Sequence, residues 1–320
     1  MIIPFEKHHT KKVIQLWNTA AVTDGYKPMT PEAFDSIFTK SPYFSTETAF
    51  VLDTDEICGF ACGLTGEDLP LGAESGYITC VVLSPSCQTA ENYNGFLNLI
   101  EEAFRRRGKR RSEILFFNPM MLPWYIPGTP LHEHNNAPGV PVDSHFYTAL
   151  LANGYVERTR EQAMYLNLEH FAMPSEAVAR EASAAASGYE VALFDPSRYN
   201  GVSEMLEGLG NPLWQKEITE CTEKGIPVVV GAYEGKTVGF AGPVIRQESG
   251  RGYFTGIGVH PHHEGHGLGS LLFFKLCQAF KDVGAGYMSL YTGTTNPAAK
   301  IYLKAGFRAV REFAVMRKEL

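Results

Sequence analysis

The stretch from Tyr253 to Phe280 most narrows what this chain can fold into. It sets an aromatic and β-branched run, Tyr253 to Val259, ahead of an apolar face at Leu268, Leu271, Leu272, Leu276 and Phe280, with glycines at 265, 267 and 269 between the two. The first run is strand-forming. The second has the three- and four-residue spacing of an amphipathic helix and stops at Gly284. Glycine reaches backbone angles closed to other residues and has no Cβ to keep a ligand off the main chain. The first N–H groups of the helix, and the positive end of its dipole, then face whatever sits on the turn. The predicted ligand is an anion, and phosphate is the natural one. Gly-x-Gly spacing alone is weak evidence, and without support elsewhere a plain strand-to-helix connection is the better reading.

A second segment supports the phosphate reading. After the strand-like run Tyr287 to Tyr291 the chain reads Asn296-Pro297-Ala298-Ala299-Lys300-Ile301-Tyr302-Leu303-Lys304-Ala305-Gly306-Phe307. Asn296 suits an N-cap, Pro297 the first helical position, and Gly306 the left-handed residue that ends a short helix. These two segments, in this order, resemble the GNAT (GCN5-related N-acetyltransferase) superfamily of acyl-coenzyme A N-acyltransferases. The family turn has Arg or Gln, two residues, Gly, one residue, then Gly or Ala; Glu264 to Gly269 matches it everywhere but at the first position. The second signature is matched without a gap at Asn296, Ala299, Tyr302, Gly306 and Phe307.

The resemblance implies acyl transfer from coenzyme A, acetyl-CoA above all, to a primary amine, with no metal expected. It implies Tyr302 as the proton donor to the departing sulfur. Backbone groups of Ile257 and Val259 would pair with the pantetheine arm. Amides of Gly265, His266, Gly267, Leu268, Gly269 and Ser270 would hold the pyrophosphate, Asn296 would help orient the pantetheine or a water, and Glu264 and Ala299 complete the cofactor-binding set. Two departures bear on this. Glu264 puts a carboxylate where the family has Arg or Gln, and a carboxylate repels phosphate unless it points away or is paired. Moreover, Arg251 to Val259 carries no Asp or Glu to act as base. A water-relayed base is implied, with His260 and Glu217 as candidates. His260, His262, His263 and His266 cluster near the turn; their charge near pH 6.5 could aid phosphate binding, though exposed loop histidines without a task are the commoner case.

The remainder of the chain is bounded by composition. A length of 320 residues with 44% hydrophobic content allows two domains. The formal net charge of −7 gives no reason to expect nucleic acid. The basic run Arg105 to Arg111 follows an apolar helix and reads as its solvated end. Six cysteines sit mostly in apolar runs without metal spacing, which suggests buried thiols in a reducing compartment. No segment approaches the ~18 apolar residues of a membrane span, and no leader pattern opens the chain. The expectation is a cytoplasmic monomer or homodimer acting on a small-molecule or peptide amine, without nucleic acid or membrane as partner.

The N-terminal half repeats the plan of the C-terminal half. Ile2 to Phe5 and His9 to Val22 read as the opening strand and helix, and Ala49 to Leu52 with Ile57 to Gly63 as a hairpin. Tyr77 to Leu83 is the strand before the expected turn, followed by a helix from Thr89 to Arg106, a strand from Ile114 to Phe117 and a short helix from Phe146 to Asn153. Ser84 to Glu91 contains no glycine, and Leu150 stands where Tyr302 does and Ser144 where Asn296 does. The predicted fold class is α+β: two tandem GNAT-like domains, each a mixed, mostly antiparallel sheet flanked by helices. Residues 1–169 form a degenerate copy with an insertion about 117–143, 170–188 a linker, and 189–320 the catalytic copy, closed by a last strand from Arg308 to Arg317. In the insertion His132 and His134 are of metal-binding type without an identified third ligand; the alternative is a proline- and aromatic-rich loop pinned by hydrogen bonds. A non-catalytic acyl-CoA sensor and an interaction protein are the competing functional readings.

Overall fold

The computed structural model describes all 320 residues, and its internal contacts divide it into two units, Met1–Ala163 with Val310–Leu320, and Met164–Ala309. No helix is long and apolar enough to cross a membrane.

In the first unit the strands Ile2–Pro4, Ala49–Asp53, Ile57–Leu64 and Ser75–Leu83 lie side by side and antiparallel. Alternation along Ala49–Asp53 sends Ala49 and Val51 to one face and Phe50 and Leu52 to the other. The first face is covered by the helix Thr10–Ala20 and packs Trp17, Phe34, Phe38 and Phe60. The second is covered by Ala90–Arg106 and packs Phe96, Ile100, Phe104 and Leu150. Arg111–Ile114 pairs parallel with the start of Ser75–Leu83.

Three expectations about this unit change. The strand after the long helix lies at Arg111–Ile114, not Ile114 to Phe117, because the backbone partners of Ser75–Tyr77 are Arg111–Glu113. The basic run is only in part a solvated helix end: Arg105 and Arg106 are the exposed last turn of the helix, but Arg107 pairs with Glu47, Arg111 with Glu74 and Glu319, and the buried Lys109 with Glu67 and the carbonyl of Gly72. Most consequentially, the final strand, Arg308–Glu319, does not close the C-terminal unit. Met316–Glu319 pairs antiparallel with Arg111–Ile114, and Arg317 Nε bonds the buried Glu113 at 2.6 Å.

In the second unit Tyr189–Leu193, Val229–Tyr233, Lys236–Gly242 and Gly256–Val259 form an antiparallel sheet in that order. The turn at Glu234-Gly235 holds both residues at positive φ, 50° and 80°, as a tight hairpin turn requires. The helix Leu268–Asp282 buries Leu271, Leu272, Phe273 and Leu276 against one face. Val202–Leu209 and Pro212–Glu223 cover the other, around Val230, Ile218 and Phe240. Residues 170–188, expected as a linker with some helical character, belong to the second unit. Ser175–Ala186 is a helix whose Ala177 and Ala184 are buried in the same core as Leu268 and Leu272.

The two units carry the same local device. Ser75–Tyr77 pairs parallel with Arg111–Glu113, and Arg251–Gly252 pairs parallel with Tyr287–Met288. A Cβ on Gly76 would lie 2.4 Å from the Phe104 ring, and one on Gly252 would lie 2.8 Å from the Phe280 ring. Each phenylalanine is the buried late anchor of the helix that follows the strand. The internal repeat expected from element order is thus also a repeat of packing.

Candidate functional site

The cleft of the second unit opens where two parallel strands part. Pairing of Arg251 and Gly252 with Tyr287 and Met288 ends at Phe254-Thr255, and Gly256–Val259 joins Lys236–Gly242 instead. The single strand expected from Tyr253 to Val259 is therefore broken into two. Trp214 sets the break: its indole N–H donates to the Thr255 carbonyl at 3.3 Å, and a Cβ on Gly256 would stand 2.5 Å from its ring. Gly256–Val259 is an edge strand. His260 N–H donates to the Val238 carbonyl at 2.8 Å, so by antiparallel alternation the backbone groups of Ile257 and Val259 point away from Lys236–Gly242, toward the open edge.

This edge borders a cleft of about 640 Å³, the size of a small-molecule site. Of the residues expected to hold the cofactor, Ile257, Val259, Glu264, Gly265, Gly267, Leu268, Gly269 and Ser270 line it. His263, one of the histidines expected near the turn, lines it too, as do Pro297, Ala298, Ile301 and Arg180, which the sequence reasoning missed. Gly267 is the N-cap of Leu268–Asp282 at φ 74°, with no side-chain cap. The first N–H groups of this helix are thus left to a ligand or to water.

Four predicted residues do not line the cleft. Asn296 is not the helix N-cap; the helix begins at Ala299, and the Asn296 side chain accepts from its own turn, from Ala298 N–H at 2.9 Å. Ala299 opens that helix one residue after the lining Ala298. His266 stacks on Tyr189 at 4.8 Å between ring centroids. Tyr302, next to the lining Ile301, is 8% exposed and packs on Phe273 at 4.8 Å and Phe307 at 6.2 Å. Burial raises its pKa, so the phenol is protonated at neutral pH. Gly306 ends the helix at φ 93°, as expected.

The charged groups sort by partner. Glu264 is exposed and forms no ion pair. His263 donates to or accepts from the Tyr189 hydroxyl at 3.0 Å. Burial, then His260, His262 and His266, lower its pKa, so at neutral pH it is uncharged. His260, one candidate base, lines a separate hollow of about 500 Å³ with Asn200, Glu204 and Thr237. Glu217, the other, accepts a hydrogen bond from Tyr253 at 2.9 Å. Tyr253 is the last residue before the strands part, and burial with the Glu217 contact pushes its pKa up to about 12. Only its place at the head of the strand-like run pointed to Tyr253.

The corresponding place in the first unit is closed. A cavity of about 30 Å³ lies there, lined by Thr79, Val82, Ile114, Val140, Pro141 and Phe146. Leu150 is fully buried, and Ser144 caps the helix His145–Ala152. In the insertion, His134 Nδ1 accepts from Asn136 N–H at 3.4 Å and Trp124 Nε1 donates to the Asn136 carbonyl at 3.2 Å, which is the pinned-loop reading.

The second unit thus carries a split pair of parallel strands, an uncapped glycine turn and a following helix, and residues 198–307 match the model of the Acetyltransferase (GNAT) family. The whole chain takes the same fold as known GNAT proteins. A GCN5-related N-acetyltransferase from Sphaerobacter thermophilus superposes with TM-score 0.61 at 14% identity, covering 100% of this chain and 95% of that one. A tandem GNAT protein from the clavulanic acid biosynthesis pathway gives 0.57 at 12%, covering 100% and 98%. A GCN5-related glucosamine N-acetyltransferase region of a fungal multi-domain GH3 β-N-acetylglucosaminidase gives 0.65 at 14%; 99% of this chain spans 38% of that longer protein. No curated protein matches the sequence.

Proposed function

We propose that the cleft of the second unit binds an acyl-CoA, acetyl-CoA foremost, and passes its acyl group to a primary amine by direct attack while both are bound. The observation that carries this reading is the open strand edge at Ile257 and Val259 leading to the uncapped N-terminus of Leu268–Asp282. An extended pantetheine arm adds to the edge as a strand does, and the pyrophosphate falls on the helix amides. Asn296 and Ala299 support the turn beside the arm rather than contact it.

The thioester then lies toward the point where the strands part. The amine nitrogen bonds to the carbonyl carbon, the carbon–sulfur bond breaks, and Tyr302, buried beside the lining Ile301, gives its proton to the sulfur, which requires the bound thioester to reach its hydroxyl. The proton leaving the amine passes through a water to Glu217, which Tyr253 orients. The acceptor is a small-molecule or peptide amine. Its class is unassigned, because one scaffold serves many acceptors. Six free cysteines suit a reducing, cytoplasmic setting.

The test is a panel of amines with acetyl-CoA, read as free-thiol release. Tyr302→Phe is expected to slow turnover by roughly 10²-fold while its affinity for acetyl-CoA stays unchanged. Unchanged turnover would remove Tyr302 from the mechanism. A second reading, an acyl-CoA sensor without turnover, draws on the unpaired Glu264 and the absence of a carboxylate on the strand; binding with no thiol release from any amine is its signature.

A further inference from the structure

Glu264 leaves the turn without the family's cationic or amide side chain, and His263 is uncharged at neutral pH. Of the side chains lining the cleft, Arg180 is the one Lys or Arg. It comes from the helix Ser175–Ala186, a segment with no part in the sequence signatures. Its Nη1 lies 3.3 Å from where a Cβ on Gly267 would stand, so any larger residue there would crowd the guanidinium. Its Nε is buried and bonded to nothing in the protein. Its one ion pair is long, 3.6 Å from Nη2 to Glu176, and Glu176 is held more closely by Lys304, at 3.1 Å. Lys275, on the adjoining helix, is already paired with Glu181 at 2.9 Å.

We propose that Arg180 binds a phosphate of the acyl-CoA at the glycine turn and supplies the positive charge that the first position of the turn does not. The assignment rests on the acyl-CoA reading above. Lys304 neutralises Glu176, which leaves the guanidinium charge for the ligand, and Nη1, beside Gly267, is the donor placed at the turn. Arginine presents a planar fork of donors, so lysine is an incomplete substitute.

The experiment is calorimetric titration of the full chain with acetyl-CoA at low and moderate salt. Arg180→Gln should weaken binding roughly 10- to 100-fold and flatten its salt dependence, with the ligand-free melting temperature unchanged; Arg180→Lys should fall between. Wild-type affinity and salt dependence in Arg180→Gln would overturn this inference and leave the acyl-CoA reading intact. Weakened binding with the salt dependence retained would make Arg180 a packing residue and also overturn it. No binding by the wild-type chain would remove the acyl-CoA reading itself, and this inference with it. If Arg180→Gln fails to fold, Arg180→Lys carries the same comparison.

Discussion

At the residue scale the N-terminal unit holds a histidine whose chemistry is fixed by its surroundings. His9 is 5% exposed, and its Nδ1 accepts the Glu6 N–H at 3.0 Å, a role open only to the uncharged ring. Burial, reinforced by His8, lowers its pKa below 6.5. The unfolded chain therefore takes up this proton more readily than the folded one, so the stability His9 contributes is complete above pH 6.5 and is lost as pH falls below it. His132 and His263 shift in the same direction. The melting temperature should fall between pH 7 and pH 5.5. His9→Gln, which keeps an acceptor but cannot be protonated, should fall less over the same interval; an equal fall would refute the assignment to His9. Of the residues assigned to the proposed site, the turn glycines and Tyr302 were legible in the sequence because they belong to contiguous motifs. Arg180 and Tyr253 were not, since each acts across tertiary distance.

At the scale of elements the recurring unit is strand, turn and helix. Its order was legible in both halves because apolar periodicity changes visibly from strand to helix spacing. The break at Phe254-Thr255 was not, since it comes from Trp214 lying on Gly256, a contact between segments remote in sequence. The helix Ser175–Ala186 was read as a linker for a related reason. Its face is alanine, which buries against the core while giving a weak apolar pattern. Packing of the helix on the strand depends on Gly252, whose replacement by alanine would drive a methyl group to 2.8 Å from the buried Phe280 ring. Gly252→Ala should destabilise the protein by about 1–3 kcal/mol, measured by denaturant unfolding. Wild-type stability would mean that the ring has room the packing denies it.

At the scale of the whole molecule the chain contains two copies of one device and, on this account, one site. The copies differ by what occupies the space beside the split strands. In the first unit the cavity is about 30 Å³, with Val140 and Pro141 in its wall; in the second it is about 640 Å³. The absence of glycine between Ser84 and Glu91 made that difference legible in the sequence. The assignment of Val310–Leu320 to the first unit was not legible, because a strand's pattern records which faces are buried and not which sheet buries them. The most direct test is the stoichiometry of acetyl-CoA binding to the full-length chain by calorimetric titration. One molecule bound per chain is the predicted result, and either no binding or two molecules per chain would contradict it.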